Sequence, residues 1–208
     1  ISNFISDHQI PFCNEMYAIT NGNFRFISTE PIWQQRLELG FSDKTDKYPY
    51  IIKSYESDKS YEQALRITRE SDVAIIGSSP EIFLKERIKN RKLTFEYSER
   101  LYKVNYQIYK IPYRIIREVI KRGFKRNTFL LCASAYAAAD FAFSLNYINK
   151  TYKWGYFPEV KPYDIQVLLK KKEKKVVSII WVGRLIKWKH PEAVIYVAKY
   201  LKENGYEE

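Results

Sequence analysis

The stretch DVAIIGSSPEIFLKERIKNRKLTFEY, residues 72–97, decides the fold. Asp72-Val73-Ala74-Ile75-Ile76-Gly77 is a short apolar run that closes in Gly-Ser-Ser-Pro. That is how a parallel strand buried on both faces reads. Pro80 then opens a helix, where a missing backbone N–H costs nothing, and the helix runs to Arg91. Leu93–Tyr97 is the next strand. A strand, a helix and a strand over so few residues form a right-handed βαβ crossover, and they set the two strands parallel.

The same alternation extends in both directions. Upstream, Ile1–Ile5 reads as a strand and Gln9–Thr20 as a helix, with Pro11 in its first turn and Asn21-Gly22-Asn23 as its stop. Phe24–Ser28 alternates apolar and polar side chains as a strand does. Glu30–Ser57 is irregular and rich in aromatics. Ser60–Ser71 is a helix with Ser60 as a possible N-cap. Downstream, Ile111–Gly123 is a helix, Thr128–Cys132 a strand and Ala133–Ser144 a helix. These elements predict an α/β domain of Rossmann-like architecture over residues 1–158, built on a mostly parallel sheet. No GxGxxG occurs, so a dinucleotide site of the usual kind is not expected.

Lys153–Pro158 (KWGYFP) reads as the way out of that domain, and 159–175 as a linker ending in the charge run KKKEKK. Val176–Val182 then reads as a strand, Gly183-Arg184 as its end, and Pro191 as the start of a helix reaching about Asn204. Residues 176–208 are thus expected to open a second Rossmann-like domain. One strand and one helix do not close a core, and Ile1 falls within a strand. The sequence therefore reads as a piece of a longer polypeptide.

Composition narrows the class. Of the 208 residues, 46% are hydrophobic, enough for a packed core and too many for a disordered tail. The net charge of +11 fits nucleic acid, an anionic membrane surface or phosphorylated substrates as partners. It also fits a solvated Lys-rich surface. Cys13 and Cys132 are the two cysteines and His8 and His190 the two histidines, with no spacing that suggests a metal site. The apolar stretch Thr128–Leu145 is broken by Asp140 and reads as a strand running into a helix, not a membrane span. Tyr109–Asn127 carries seven cations and one anion, Glu118, around an apolar stripe. It reads as a sheet-covering helix whose basic face also suits an anionic membrane.

The sharpest chemical signal is GRLIKWK, residues 183–189. Arg184 and Lys189 stand five residues apart beyond the carboxyl end of an expected strand, where open α/β sheets bind ligands. Ahead of a helix N-terminus, such a pair suits a diphosphate. A solvated surface loop is the alternative.

This segment resembles the start of the C-terminal domain of GT-B glycosyltransferases, in particular glycosyltransferase family 4. HQIPFCNEMYAITNGNFRFISTEP, TFEYSERLYK and KWGYFPE are also similar to bacterial members that build surface polysaccharides. The resemblance implies transfer of a sugar from a nucleotide-sugar donor to a glycan or lipid-linked acceptor, with retention. It implies no cofactor and no metal, a cytoplasmic site possibly peripheral on the inner face of the membrane, and no nucleic-acid partner. Residues 1–158 would be the acceptor-side half, and Gly183, Arg184 and Lys189 would bind the donor diphosphate. Asp7 and His8, in the first βα loop, would face the cleft, although Asp7 equally suits a helix cap. Glu99 and Arg100, beyond the Leu93–Tyr97 strand, occupy the place where relatives carry a His, and are the catalytic candidates. An ion pair at a strand end is their plainer reading. The Gly-rich first loop, and the C-terminal-domain motif of two Glu separated by seven residues, are common in the family and do not occur at those places here. A basic nucleic-acid-binding module and a GT-B-like sugar-nucleotide epimerase or hydrolase are the alternative functions.

Overall fold

The computed structural model describes residues 1–102, 108–113, 115–116, 127–172, 179–183 and 185–206. They form two compact units, Ile1–Glu159 and Val160–Glu208.

The first unit is α/β. Its elements in chain order are α1 (Ile10–Ile19), β1 (Phe26–Ser28), α2 (Gln34–Glu38), β2 (Ile51–Lys53), α3 (Asp58–Glu70), β3 (Val73–Ile76), α4 (Glu81–Lys89), β4 (Leu93–Ser98), β5 (Thr128–Cys132), α5 (Ala137–Phe143) and β6 (Thr151–Lys153). β1 and β2 pair in parallel, and β3-β4-β5-β6 form a four-stranded parallel sheet.

The N-terminal residues join these two sheets. Ser2 bridges Ser28 in parallel. Its N–H donates to Ile27 O at 3.0 Å and its carbonyl accepts from Thr29 N at 2.9 Å. On the other side the Ile1 amine donates to Ile75 O at 2.8 Å, and Gly77 N donates to Ile1 O at 2.8 Å. The spatial order is therefore β2, β1, the N-terminal segment, β3, β4, β5, β6. That is the doubly wound order, and its direction reverses between the N-terminal segment and β3. The strand expected over Ile1–Ile5 is reduced to this bridge.

Side chains of β1 alternate between the two faces, as the pleat requires. Phe26 packs with Ile5, Ile10, Cys13 and Tyr50 on the α1 side. Ile27 packs with Ala64 of α3 and Phe83 of α4 on the other. Phe83 is fully buried, which stabilises the fold by about 2–3 kcal/mol relative to exposure. On the Ile27 side α4, α3 and the start of β4 are bound together by Arg87 of α4, also fully buried. Its guanidinium donates to the carbonyls of Thr68 (3.0 Å), Ser71, Asp72 (3.1 Å) and Leu93 and to Thr94 Oγ1 (3.1 Å). It thereby caps the end of α3, whose last carbonyls have no helical partner.

Several boundaries differ from the sequence reading. The cap of α3 is Ser57, not Ser60: Ser60 N donates to Ser57 Oγ at 3.1 Å, and Ser57 N to Ser60 Oγ at 2.9 Å. This is a capping box with Ser60 at its third position. Two strands escape the sequence reading, β2 within the irregular aromatic stretch and β6 at Thr151–Lys153. Each is three residues long, too short to show a period. α5 starts at Ala137, four residues later than expected, which frees Ala133–Tyr136 as a loop. The helix expected over Ile111–Gly123 falls largely outside the described residues.

Among its described residues the second unit holds two α-helices, α6 (Ile165–Lys171) and α7 (Glu192–Glu203), and a 3₁₀ turn at Lys187–Lys189. Asp164 caps α6, accepting from Gln166 N at 2.8 Å and Val167 N at 3.3 Å. The stretch expected as a linker thus contains a helix. Of the strand expected at Val176–Val182, the described part is not a strand. Ile179, Ile180 and Val182 are 67%, 84% and 85% exposed. A strand exists only by pairing its backbone groups with a neighbour, and here local apolar character has no ladder to join. Among the described residues no helix is long and apolar enough to cross a membrane.

Candidate functional site at the carboxyl edge of the sheet

In a parallel sheet every strand ends on the same side, so the loops that follow the strands share one edge. In the first unit those loops include Ser6–Gln9 after the N-terminal segment, the start of the connection at Thr29 after β1, Ser54–Ser57 after β2, Gly77–Pro80 after β3, Glu99–Tyr102 after β4, Ala133–Tyr136 after β5 and Trp154–Phe157 after β6. The reversal of strand order lies between Ser6–Gln9 and Gly77–Pro80, which is where such sheets form a crevice.

Two of the sequence-derived candidates, His8 and Glu99, are linked there through Tyr156. The rings of His8 and Tyr156 lie 5.4 Å apart. The Tyr156 phenol donates to the Glu99 carboxylate. Burial, then the hydrogen bond to Glu99, pushes its pKa up to about 12, so the phenol keeps its proton. Beneath this pair Phe12, Trp154 and Phe157 form a three-ring cluster with centroids 5.0–5.4 Å apart. Phe157 N donates to His8 O at 3.2 Å, which ties the first loop to the last.

Asp7 does not cap α1. The N-cap is Gln9, without a side-chain capping bond. Asp7 instead pairs with Lys44, from the long connection between β1 and β2. The hydrogen bond to Asp7 raises the Lys44 pKa. Gln9 accepts from Ser6 N at 2.9 Å and donates to Tyr97 Oη at 3.0 Å. The Tyr97 ring in turn lies over Gly77: a Cβ at residue 77 would meet Tyr97 Cε1 at 2.2 Å. Gly77 is therefore required by the approach of that ring.

Arg100 sits at the same strand end but faces elsewhere. Its Nε and Nη2 donate to Asp140 at 3.1 and 3.3 Å, and its guanidinium lies 4.9 Å from the Tyr136 ring centroid. Asp140 is 3% exposed and also accepts from Tyr102 N at 3.2 Å. The ion-pair reading of Arg100 describes these contacts, and Asp140, read from sequence as a break in an apolar run, is a buried acceptor for the turn after β4.

Of the residues expected at the donor diphosphate, Arg184 lies outside the described residues. Lys189 is exposed and closes a 3₁₀ turn, Lys187–Lys189, with its N–H on Ile186 O at 2.9 Å. Gly183 is exposed, and a Cβ there would meet the Trp181 ring at 2.8 Å. Both belong to the second unit.

A cavity of about 860 Å³ opens along the first unit. At the carboxyl edge Asp7, His8, Gln9, Lys44, Tyr97 and Tyr156 line it. It continues past Ile1 to the opposite edge, between Phe24–Phe26 and Asp72–Ala74, which the N-terminal segment does not reach. The carboxyl-edge portion carries an imidazole, the Asp7–Lys44 ion pair, aromatic faces and the Tyr156 phenol, which bonds to Glu99 just outside the cavity lining. Such a set can hydrogen-bond hydroxyl groups, stack on an apolar ring face and exchange a proton at Glu99 or His8. Among the described residues no group of three or more His, Cys, Asp or Glu side chains is placed to hold a metal ion.

Tyr156, Lys44, Gln9 and Tyr97 were not singled out from the sequence. Tyr156 and Tyr97 stand inside quoted motifs, but nothing local separates them from the other tyrosines. No protein-family model, curated protein or solved structure matches this chain.

Proposed function

We propose that this chain is part of a glycosyltransferase that moves a sugar from a nucleotide-sugar donor to a glycan or lipid-linked acceptor. The observation that carries the reading is the linkage of His8 and Glu99 through Tyr156 at the carboxyl edge, with Asp7 beside His8, next to the reversal of strand order. The GRLIKWK segment supplies the second support, through its resemblance to the diphosphate-binding start of a GT-B C-terminal domain.

In this reading the first unit binds the acceptor. A sugar ring stacks on the aromatic faces around Trp154 and Tyr156, and its hydroxyls bond to Asp7 and Glu99. The Tyr156 phenol, which stays protonated, holds Glu99 in place. Arg184 and Lys189 neutralise the diphosphate as the glycosidic bond breaks and charge builds on the leaving phosphate. Retention, peripheral membrane association and attraction of the basic segment 109–127 to anionic lipid belong to the same proposal.

The test is release of nucleoside diphosphate over a panel of donors, using the full-length protein that carries these residues. Acceptor-dependent release, lost on Arg184→Ala and lowered about tenfold or more on Glu99→Gln, supports transfer. Release that ignores the acceptor points to a hydrolase. No release with any donor rejects the proposal.

A further inference from the structure

The connection from β1 to β2, Thr29–Tyr50, is the crossover that a parallel pair of strands requires, but most of it is irregular instead of helical. It holds only α2 and one 3₁₀ turn, Thr45–Lys47. Long connections that are largely irregular are commonly lids or binding loops in compact domains. Its polarity is reversed relative to a stabilising element. α2 buries no residue, and Trp33, Leu37, Leu39 and Phe41 are 38–58% exposed. The side chains turned inward on the cavity include two cations, Arg36 and Lys44, both half-buried.

Those cations differ in their partners. Among the described residues Arg36 has no carboxylate partner and lies 5.2 Å from the Phe41 ring centroid. Lys44 holds Asp7, whose side chain is 53% exposed. An ion pair with so exposed a partner contributes little, so a competing anion can replace Asp7 at low cost. Facing these cations, the charged or titratable groups on the carboxyl-edge part of the cavity are Asp7, His8, Tyr97 and Tyr156, and Tyr48 and Glu159 also act electrostatically on Lys44.

We infer that Thr29–Tyr50 is a lid that binds a phosphate group of the ligand through Arg36 and Lys44, with the Asp7–Lys44 pair as the latch of the ligand-free state. Arg36 supplies the forked donors and Lys44 the point charge. When phosphate takes Lys44, the Asp7 carboxylate is released into the cavity, free to accept a hydroxyl of the same ligand. The inference concerns a phosphate carried by the ligand and does not depend on sugar transfer.

The experiment titrates the protein with inorganic pyrophosphate, using sodium sulfate at matched ionic strength as the control. Trp33 reports from the lid, where its ring lies 5.5 Å from Phe4, and Trp33→Phe identifies its share of the fluorescence. We expect a saturable change in emission and slower tryptic cleavage within 29–50. Arg36→Ala and Lys44→Ala should each weaken binding about tenfold. Asp7→Asn should strengthen it several-fold, because Lys44 then loses the carboxylate that holds it. A variant whose circular dichroism departs from that of the parent is replaced by Arg36→Gln or Lys44→Gln. Vesicles of phosphatidylcholine doped with phosphatidic acid form a second arm, separating a lipid-borne phosphate from a soluble one. Pyrophosphate binding no stronger than sulfate in both arms overturns the inference. So does weaker binding by Asp7→Asn, since Asp7 would then be no competitor. Pyrophosphate binding with these responses, but without nucleotide release, leaves the lid standing and rejects only the transferase.

Discussion

Tyr156 donates its phenolic hydrogen to Glu99 across a separation of 57 residues. Each comes from a different loop of the carboxyl edge, and the bond joins the end of β4 to the segment leaving β6. Tyr156 also faces His8, so one tyrosine links two of the sequence-derived candidates. Tyr156→Phe removes the bond and keeps the ring. Because Tyr156 is 53% exposed, the change should move stability by about 0.5 kcal/mol or less. Acceptor-dependent turnover should fall about tenfold as Glu99 loses its orienting partner. The absorbance of tyrosinate supplies a second check. The parent and the variant should differ only as pH approaches about 12, where this phenol loses its proton.

Gly77 tests the packing at the reversal of strand order. A Cβ there would stand 2.2 Å from the Tyr97 ring, which Gln9 Nε2 holds by its hydroxyl at 3.0 Å. Gly77→Ala should destabilise the first unit by about 1–3 kcal/mol in urea denaturation. Adding Tyr97→Ala should recover most of that loss. Additive effects of the two changes would show that the ring does not cause the clash.

Arg87→Met removes five donated hydrogen bonds from a fully buried site. The carbonyls at the end of α3 and the start of β4 lose their donors with no water to replace them. A loss of about 3–5 kcal/mol is expected. Arg87→Lys should lose nearly as much, because an ammonium has three donors and no fork.

Thr29 lies just beyond β1, and its Oγ1 is buried without a hydrogen-bond partner. Thr29→Val keeps the shape and removes the unpaired hydroxyl, so it should stabilise the protein by about 1 kcal/mol. A destabilised variant would mean that an ordered water or a ligand satisfies this hydroxyl.

The thiols give a test of core integrity. Cys13 is 2% exposed, and its burial pushes the thiol pKa up to about 12. Burial raises that of Cys132 as well. Thiolate is the reactive form, so both should react with a disulfide reagent at pH 8 far more slowly than free cysteine. Cys13 should react only as the protein unfolds, which makes its labelling rate a measure of opening. Immediate labelling of Cys13 would show that the Ile5–Ile10–Phe26–Tyr50 cluster is not closed over it.

The βαβ unit at 72–97 and the strand at Thr128–Cys132 were legible because their signals are local. An apolar run of four or five residues, a proline at a helix start and an Asn-Gly stop act through the backbone of a few neighbours. Asn21 and Gly22 end α1 with φ of 49° and 80°, as the stop at residues 21–23 predicts. β2 and β6 were not legible. A three-residue strand has no periodicity, and its existence depends on the strand beside it. The same reason removes the strand expected at Val176–Val182 from its described part, where apolar character had no partner to pair with.

The sequence by itself determined the α/β class, the parallel direction of the sheet and the strand ends on which Asp7, His8 and Glu99 stand. Crossover helices force strands to run the same way, and strand ends mark where loops begin. Only the tertiary structure decided which loops meet. Ile1 and Ser2 place the N-terminal segment between β1 and β3 through four backbone hydrogen bonds, and that order brings His8 to Tyr156 and Asp7 to Lys44. Strand order is set by pairing between distant segments, which balances the whole core at once. No window of neighbouring residues carries that information.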